Sequence, residues 1–184
     1  MSETLIVRHC SPTLAGLKTA NMFNYTYKDK AELMESIRSV NLRLKGKGVR
    51  MIPLRVANGS ALIYVYRPEK LEDDLKSPVS EAILASCGYY GGTVPRLIRE
   101  LIERLGCSED FPHEIGLFLG YPPEDVRCFM CDRKRDCKCV GCWRAYNNET
   151  EAEKTFARFK KCTDVYCRKL HEGYSLNRLT VARA

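Results

Sequence analysis

Apolar side chains recur every three or four residues along several segments of the chain, which is the spacing of one buried helix face. The clearest segment is 29–45, which Gly46 and Gly48 end. Its apolar face consists of Leu33, Ile37, Val40 and Leu44. The same pattern predicts further helices over 68–75, 79–87, 94–105 and 149–171.

The pair Asn58-Gly59 separates two segments rich in Val, Ile, Leu and Tyr, at 49–56 and 61–66. Asn-Gly is a preferred two-residue turn of β-hairpins, because both residues accept positive φ angles. The sequence therefore predicts an antiparallel hairpin. Pro53 has no amide hydrogen for a neighbouring strand, so it predicts that the first strand lies at a sheet edge or contains a bulge.

At the start of the chain, Leu5-Ile6-Val7 predicts a short strand, and the residues after it predict the beginning of a helix. Ser11 is a favourable N-cap residue, and Pro12 suits the first helical position, where a missing amide hydrogen costs nothing. Such a helix would continue through Leu14, Leu17, Lys18 and Met22.

The stretch 111–126 is apolar and rich in Gly and Pro, and its pattern allows two interpretations. It predicts either a strand or a tight helical turn before a helix that Pro122 and Pro123 begin. A short strand is also predicted over 142–146. Towards the end of the chain, Gly173 ends the last long helix and Ser175 can cap a short terminal one.

Together these elements predict one α+β domain over 1–184, with a small, mostly antiparallel sheet that contains a β-hairpin and is packed by several helices. The composition agrees, because 45% of the 184 residues are hydrophobic and a chain of this length buries roughly 70% of its unfolded surface. Charge and cysteine concentrate at 127–142, which is therefore a possible cysteine-rich basic insertion.

The composition also excludes several classes of protein. No apolar stretch reaches the ~18 residues of a membrane span, so no contact with a membrane is predicted. The first residues lack the basic region and long apolar region of a secretion signal, so a cytoplasmic location is predicted. The globular amino-acid composition also excludes collagen, coiled coils and disordered tails.

The net charge of +7 lies entirely in residues 127–184, which contain 14 Lys and Arg against 7 Asp and Glu. This is either a solvated basic face or a surface for an acidic partner, such as nucleic acid or an acidic electron-transfer protein. Nucleic acid is the weaker alternative, because no pattern of arginine interleaved with aromatic residues accompanies the charge. In addition, the helix-turn-helix-like residues 170–179 leave no room for a second recognition helix.

The chain has ten cysteines, and in a reducing compartment such a number favours metal binding or redox chemistry over disulfides. Five of them occur as C-x2-C-x5-C-x-C-x2-C between Cys128 and Cys142. The predicted metal centre combines Cys139, Cys142, Cys162 and Cys10, a ligand set that suits zinc or an iron–sulfur cluster. The alternative is that these thiols pack in the core.

Cys10 is also a candidate catalytic residue. Cys10 would lie one residue before a helix N-cap. Amide donors and the helix dipole at that position would favour the thiolate form of its side chain. The same turn would form an anion cradle with Ser11, Thr13 and Lys18 as cofactor-binding residues. The alternative is a buried cysteine at the end of a core strand.

Two further candidate catalytic residues, His113 and Glu114, lie in the Gly- and Pro-rich stretch and could serve as acid or base. The alternative is that they form a structural pair. Tyr89-Tyr90-Gly91-Gly92 suits a ligand-facing loop, but it equally suits an ordinary turn between helices.

Several segments together resemble a domain-of-unknown-function family of anaerobic bacteria. The segments that carry the resemblance are 9–18, which reads HCSPTLAGLK, 61–68, 111–122, which reads FPHEIGLFLGYP, 138–143 and 161–163. Nearly the whole chain is covered, and the resemblance implies equivalents of Cys10, Cys139 and Cys162 in the family. It implies no activity. An anaerobic setting would suit oxygen-sensitive thiolates or an iron–sulfur cluster.

The leading functional hypothesis is a cytoplasmic redox or metal-binding protein whose centre is formed by cysteines. The alternative is a non-enzymatic protein that docks an acidic partner through its basic C-terminal third. Binding of nucleic acid is the third hypothesis.

Overall fold

The computed structural model describes residues 1–107 and 110–182. The chain forms two compact units, which we call unit 1 (Met1–Glu69 and Phe159–Ala184) and unit 2 (Lys70–Arg158). The predicted α+β class, with a small antiparallel sheet and a β-hairpin, is confirmed. In chain order the elements are α1 (Glu3–Leu14), β1 (Ala20–Thr26), α2 (Lys30–Leu44), β2 (Arg50–Ala57), β3 (Ser60–Tyr66), α3 (Pro68–Leu75), α4 (Pro78–Ser86), α5 (Val94–Cys107), α6 (Ile115–Phe118), α7 (Pro123–Cys131), β4 (Cys139–Val140), β5 (Arg144–Ala145), α8 (Glu149–His171) and α9 (Leu176–Leu179).

The first element is a helix and not the predicted strand. The Ser2 side chain caps α1 by accepting the Leu5 amide, and Pro12 lies in its last turn. One face of α1 carries Ile6, Cys10 and Leu14, each fully buried and four residues apart. The predicted helix start at Ser11 is therefore wrong, because Leu5-Ile6-Val7 belongs to a helical pattern that begins at Ser2.

The sheet of unit 1 has the strand order β1-β3-β2, and both pairings are antiparallel. The hairpin predicted at Asn58-Gly59 is confirmed, with positive φ angles of 50° and 72° at its two turn residues. Pro53 lies on an edge strand, and the register of β2 shifts between Pro53 and Arg55. Strand β1 occupies residues that were predicted to continue a helix.

The core of unit 1 lies between this sheet and helices α1 and α2, which pack against it. Helix α2 contributes the four residues that its periodicity predicts. Helix α9, capped by the Ser175 side chain as predicted, closes the core with Leu176 and Leu179. The buried residues of the cluster include Ile6, Val7, Cys10, Leu14, Phe23, Leu33, Ile37, Val40, Leu44, Met51, Ile63 and Val65.

Unit 2 is mostly helical. For the stretch 111–126, the structure confirms the helical alternative: α6 is a single turn, and α7 begins at Pro123 after Pro122 at its N-cap. Helix α7 packs against α4, α6 and β5. The short strands β4 and β5 pair antiparallel, and α8 begins in unit 2 and ends in unit 1.

Within the described ranges, no helix combines the length and the apolar character that crossing a membrane requires. All ten cysteines are free thiols.

Candidate functional site

A cavity of about 250 Å³ in unit 2 lies beside the loop 110–114. Its walls come from three places: Arg104 from helix α5, His113 and Glu114 from the loop, and Met130 and Arg133 from the end of α7 and the residues after it. Two predicted candidates, His113 and Glu114, are thus brought to one cavity with two arginines. The cavity therefore combines charged and polar side chains in a concave place, as small-molecule sites do.

Glu114 is buried, with 5% of its surface exposed, and its carboxylate accepts a hydrogen bond of 3.1 Å from the Tyr89 hydroxyl. Burial raises the pKa of the Tyr89 phenol, and the negative charge of Glu114 raises it further. The phenol therefore stays protonated and remains a donor to the carboxylate. The Arg104 guanidinium lies 4.5 Å from the centre of the Tyr89 ring, a cation–π contact.

This arrangement depends on a tight turn after helix α4. Gly88 has a φ of +79°, a conformation that side chains with a Cβ rarely adopt. A Cβ at Gly88 would also lie 3.2 Å from the Arg104 guanidinium. Glycine at this position therefore lets the chain turn so that Tyr89 points inward, while Tyr90 stays 84% exposed.

The His113 imidazole is partly exposed at the cavity and is held by aromatic contacts. Its ring centre lies 5.1 Å from Phe129, edge to face, and 6.0 Å from Phe111. Partial burial lowers the pKa of His113, and the Arg133 guanidinium lowers it further, against the opposite influence of Glu114 and Asp110. At neutral pH the ring is therefore uncharged and able to accept a proton.

The two arginines of the cavity differ in their surroundings, because the Arg104 guanidinium packs over the Tyr89 ring. In the parts of the chain that the structure describes, none of the salt bridges includes Arg104 or Arg133. Arg133 is exposed, and its carbonyl accepts a 3.0 Å hydrogen bond from Arg144, whose guanidinium lies 5.7 Å from the Phe129 ring. Arg133 therefore brings positive charge to the His113 side of the cavity, where Asp110 and Glu114 contribute negative charge.

A match to a known protein family covers nearly the whole chain. A family model described as "Protein of unknown function (DUF3793)" matches residues 6–180. The chain belongs to the DUF3793 family. The resemblance to a family of unknown function is thereby confirmed, and the origin of that family in anaerobic bacteria stays a prediction. No curated protein and no solved structure matches the chain.

Sequence reasoning missed several cavity residues of this DUF3793 chain. Tyr89 was part of a predicted loop, but nothing in the pattern linked it to Glu114, 25 residues later. Arg104 and Met130 belong to amphipathic helices on which many polar and apolar positions look alike. The nearest signal for Arg133 was the local concentration of basic residues.

The predicted reactive cysteine of the DUF3793 chain, Cys10, is a core residue in the middle of α1. Its exposure is 0%, and burial raises the pKa of its thiol, against a smaller opposite influence of Lys18. Cys10 does not lie beside a helix N-terminus, because α1 begins at Glu3, seven residues earlier. The basis for a nucleophilic Cys10 is therefore lost.

The predicted anion cradle is also corrected, because Ser11, Thr13 and Lys18 lie at the C-terminal end of α1 and beyond it. There the helix dipole is negative and disfavours an anion. The side chains instead bond within unit 1: Ser11 donates to the Val7 carbonyl, Thr13 to the Asn21 side chain at 2.7 Å, and Lys18 to the Ala20 carbonyl.

We expect Cys10 to resist alkylation in the folded protein, because a buried, protonated thiol neither meets nor attacks the reagent. Iodoacetamide at pH 7.5, followed by peptide mass spectrometry, checks this. The exposed thiols of Cys107, Cys131 and Cys142 should be modified first, and Cys10 only after urea unfolds the chain. Modification of Cys10 at the rate of these exposed thiols would contradict the burial described above.

The four predicted metal ligands belong to different units: Cys10 and Cys162 lie in unit 1, and Cys139 and Cys142 in unit 2. Over residues 1–107 and 110–182, no three His, Cys, Asp or Glu side chains form a group that could hold a metal ion. Burial raises the pKa of Cys162 to about 11. Burial, followed by the carboxylates of Glu149 and Glu153, raises that of Cys139. A redox or metal-binding centre stays a prediction from the sequence.

A buried carboxylate organises the cysteine-rich segment. Asp125, 4% exposed, accepts three hydrogen bonds on Oδ1, from the Tyr146 amide and from the amide and side chain of Asn147. Its Oδ2 accepts the Trp143 indole N–H at 2.9 Å. The Trp143 ring then packs edge to face on Phe156 at 4.5 Å. This network positions the residues that follow β4.

Proposed function

We propose that the cavity beside the loop 110–114 binds a small anionic group, a carboxylate or a phosphate, and that His113 exchanges a proton with the bound molecule. The observation that carries this proposal is the convergence of Arg104, Arg133 and the His113 imidazole on one cavity of about 250 Å³. Guanidinium groups offer paired N–H donors that match two oxygens of a carboxylate or phosphate.

The site also contains two acidic residues, Asp110 and Glu114, whose negative charge offsets part of the charge of the two arginines. Glu114 is buried and accepts the Tyr89 hydroxyl, so its carboxylate shapes the wall of the cavity. Together with Asp110 it favours the protonated form of His113, whereas Arg133 favours the neutral form. Opposing charges on one imidazole leave its protonation open to control by a bound anion, which suits an acid–base group.

Replacing Arg133 by alanine is expected to weaken anion binding about tenfold, because one charge-assisted pair of hydrogen bonds is lost. The measurement is an NMR titration of the purified protein with acetate and with inorganic phosphate, followed through the His113 ring signals. The matched control is Lys134→Ala, which removes the same charge from the neighbouring exposed position but does not line the cavity.

Equal weakening by the two variants would show binding to a diffuse basic surface and would overturn the proposal. Titrations of the unmodified protein without saturable shifts at His113 would overturn it as well. The pH dependence provides a second readout. The pKa of His113 in the empty site is lowered, and a bound anion stabilises the imidazolium and raises it, so affinity should increase as pH falls from 7.5 to 5.5. His113→Gln should remove this increase.

A further inference from the structure

A second, apolar groove of about 480 Å³ lies in unit 2 between helices α4 and α7. Helix α4 contributes Pro78, Val79, Ala82 and Ile83, which recur at helical spacing on one face, and Ser86 at its end. Helix α7 contributes Arg127, Met130 and Cys131. Pro78 and Ala82 are exposed and Val79 is half-buried. A strip of apolar surface is therefore open to solvent along the line where the two helices pack.

The groove and the polar cavity are neighbours. Met130 lines both of them, so the apolar groove and the cavity of Arg104 and Arg133 share this residue as part of their walls. Methionine adapts its shape to irregular contacts more readily than other apolar residues. The neighbouring spaces therefore combine the arginines of the cavity with the apolar side chains of α4, and Arg127 adds a further cation on the groove wall.

We propose that the anionic group bound beside His113 is the head of a single-chain carboxylate whose apolar tail lies in the groove between α4 and α7. The inference rests on the proposed function, which supplies the head-group site. The charge of Arg104 and Arg133 selects a negative head, and the apolar residues of α4 select a hydrocarbon tail. The combined space falls within the ~300–1,000 Å³ of typical small-molecule sites.

Chain length is the property that tests the inference. Each methylene that enters the groove is expected to tighten binding about two- to fourfold until the groove is filled, since apolar area leaves water. Titrations with acetate, hexanoate and decanoate, each below its micelle concentration, should therefore show an affinity gain of at least a hundredfold across the series. Decanol and decyltrimethylammonium, which carry a tail without a negative head, should bind at least tenfold more weakly than decanoate.

The variant Ala82→Trp fills the groove from an exposed helical position and should remove most of the gain from chain length while leaving acetate affinity unchanged. Its matched control is Ala85→Trp, an exposed alanine of the same helix that does not line the groove. Alkylation provides an independent readout, because Cys131 lines the groove and Cys107 does not. Decanoate should slow modification of Cys131 and leave that of Cys107 unchanged.

The outcomes separate the two proposals. Saturable acetate binding that depends on Arg133, with no gain from hexanoate or decanoate, would overturn this inference and leave the proposed function standing. Equal affinity for decanol and decanoate, insensitive to Arg133→Ala, would show that the groove binds hydrocarbon independently of the cavity and would also overturn the inference. Absence of acetate and phosphate binding at the cavity would overturn the proposed function itself.

Discussion

Replacing Asp125 by alanine is expected to lower the free energy of unfolding of unit 2 by about 3–5 kcal/mol, because several buried donors lose their acceptor. The carboxylate accepts four hydrogen bonds, and two of the donors are backbone amides. Each buried donor left without an acceptor costs about 1–3 kcal/mol, and water recovers part of this only near the exposed Asn147.

The measurement is urea denaturation followed by tryptophan fluorescence. Trp143 is the only tryptophan of the chain, and its indole N–H bonds directly to Asp125, so its emission reports on this network. Circular dichroism at 222 nm reports in parallel on the helices of both units. We expect the fluorescence midpoint to fall, with the cysteine-rich segment losing its order first.

The conservative variant Asp125→Asn separates loss of the acceptor from loss of volume. Its amide oxygen can keep the bonds to Tyr146 and Asn147, but its NH2 group then faces the Trp143 indole N–H, which is also a donor. The expected destabilisation is less than half that of Asp125→Ala. Identical midpoints for wild type and Asp125→Ala would refute the structural role of this carboxylate.

Replacing Arg67 by methionine should destabilise unit 1 by about 2–4 kcal/mol. The variant loses charge-assisted hydrogen bonds worth about 1.5–3 kcal/mol each. Part of this loss is offset, because the cost of burying a cation is removed as well. The guanidinium donates to the carbonyls of Thr13 at 2.7 Å, Leu14 at 2.8 Å and Val181 at 2.8 Å. Burial lowers the pKa of Arg67, which reports the cost of desolvating this cation. The bonds therefore join the end of α1 to the C-terminal segment.

The position of Arg67 explains the strength of this effect. The carbonyls of Thr13 and Leu14 lie at the C-terminal end of α1, where the helix dipole favours a cation. The helix ends there in a Schellman motif: the Leu17 amide bonds to the Pro12 carbonyl, and the amide of Gly16, whose φ is +73°, bonds to the Thr13 carbonyl.

Thermal and urea unfolding, followed by circular dichroism, measure the change in stability. Hydrogen exchange at the Val181 amide reports on the C-terminal segment, because this amide donates a 3.0 Å hydrogen bond to the Leu14 carbonyl. Arg67→Lys is the control, because it keeps the charge without the planar array of donors, and it should recover only part of the stability. We expect the Val181 amide to exchange fast in Arg67→Met and at an intermediate rate in Arg67→Lys. Unchanged exchange in both would show that the C-terminal segment is held by other contacts.

Helices with a complete apolar period were predictable. The buried residues of α2 are the four that its pattern predicts, and α8 occupies the predicted range 149–171. The hairpin was predictable because Asn-Gly determines a turn locally, and Pro53 lies on the edge strand that its missing amide hydrogen demands. These features depend on neighbours in sequence.

The start of the chain was predicted wrongly, because Ser11-Pro12 matches the beginning of a helix as well as the last turn of one. Tertiary packing favours the last turn of a helix, because α1 buries Ile6, Cys10 and Leu14 against the sheet. In addition, Arg67, 54 residues away from Thr13 along the chain, stabilises the end of the helix by a hydrogen bond to the Thr13 carbonyl. With α1 ending at Leu14, the next residues are free to form β1, which pairs with β3 over its whole length.

The sequence by itself determined the fold class, most helices, the hairpin and His113 and Glu114 as candidates for acid–base chemistry, since periodicity, turns and residue types act locally. Only the tertiary structure decided which residues meet. It joined the Tyr89 hydroxyl to Glu114, brought Arg104 and Arg133 to the cavity of His113, and made Met130 part of the walls of both the cavity and the groove. The physical reason is that these contacts join elements distant along the chain, and their partners are chosen by packing of the helices that carry them.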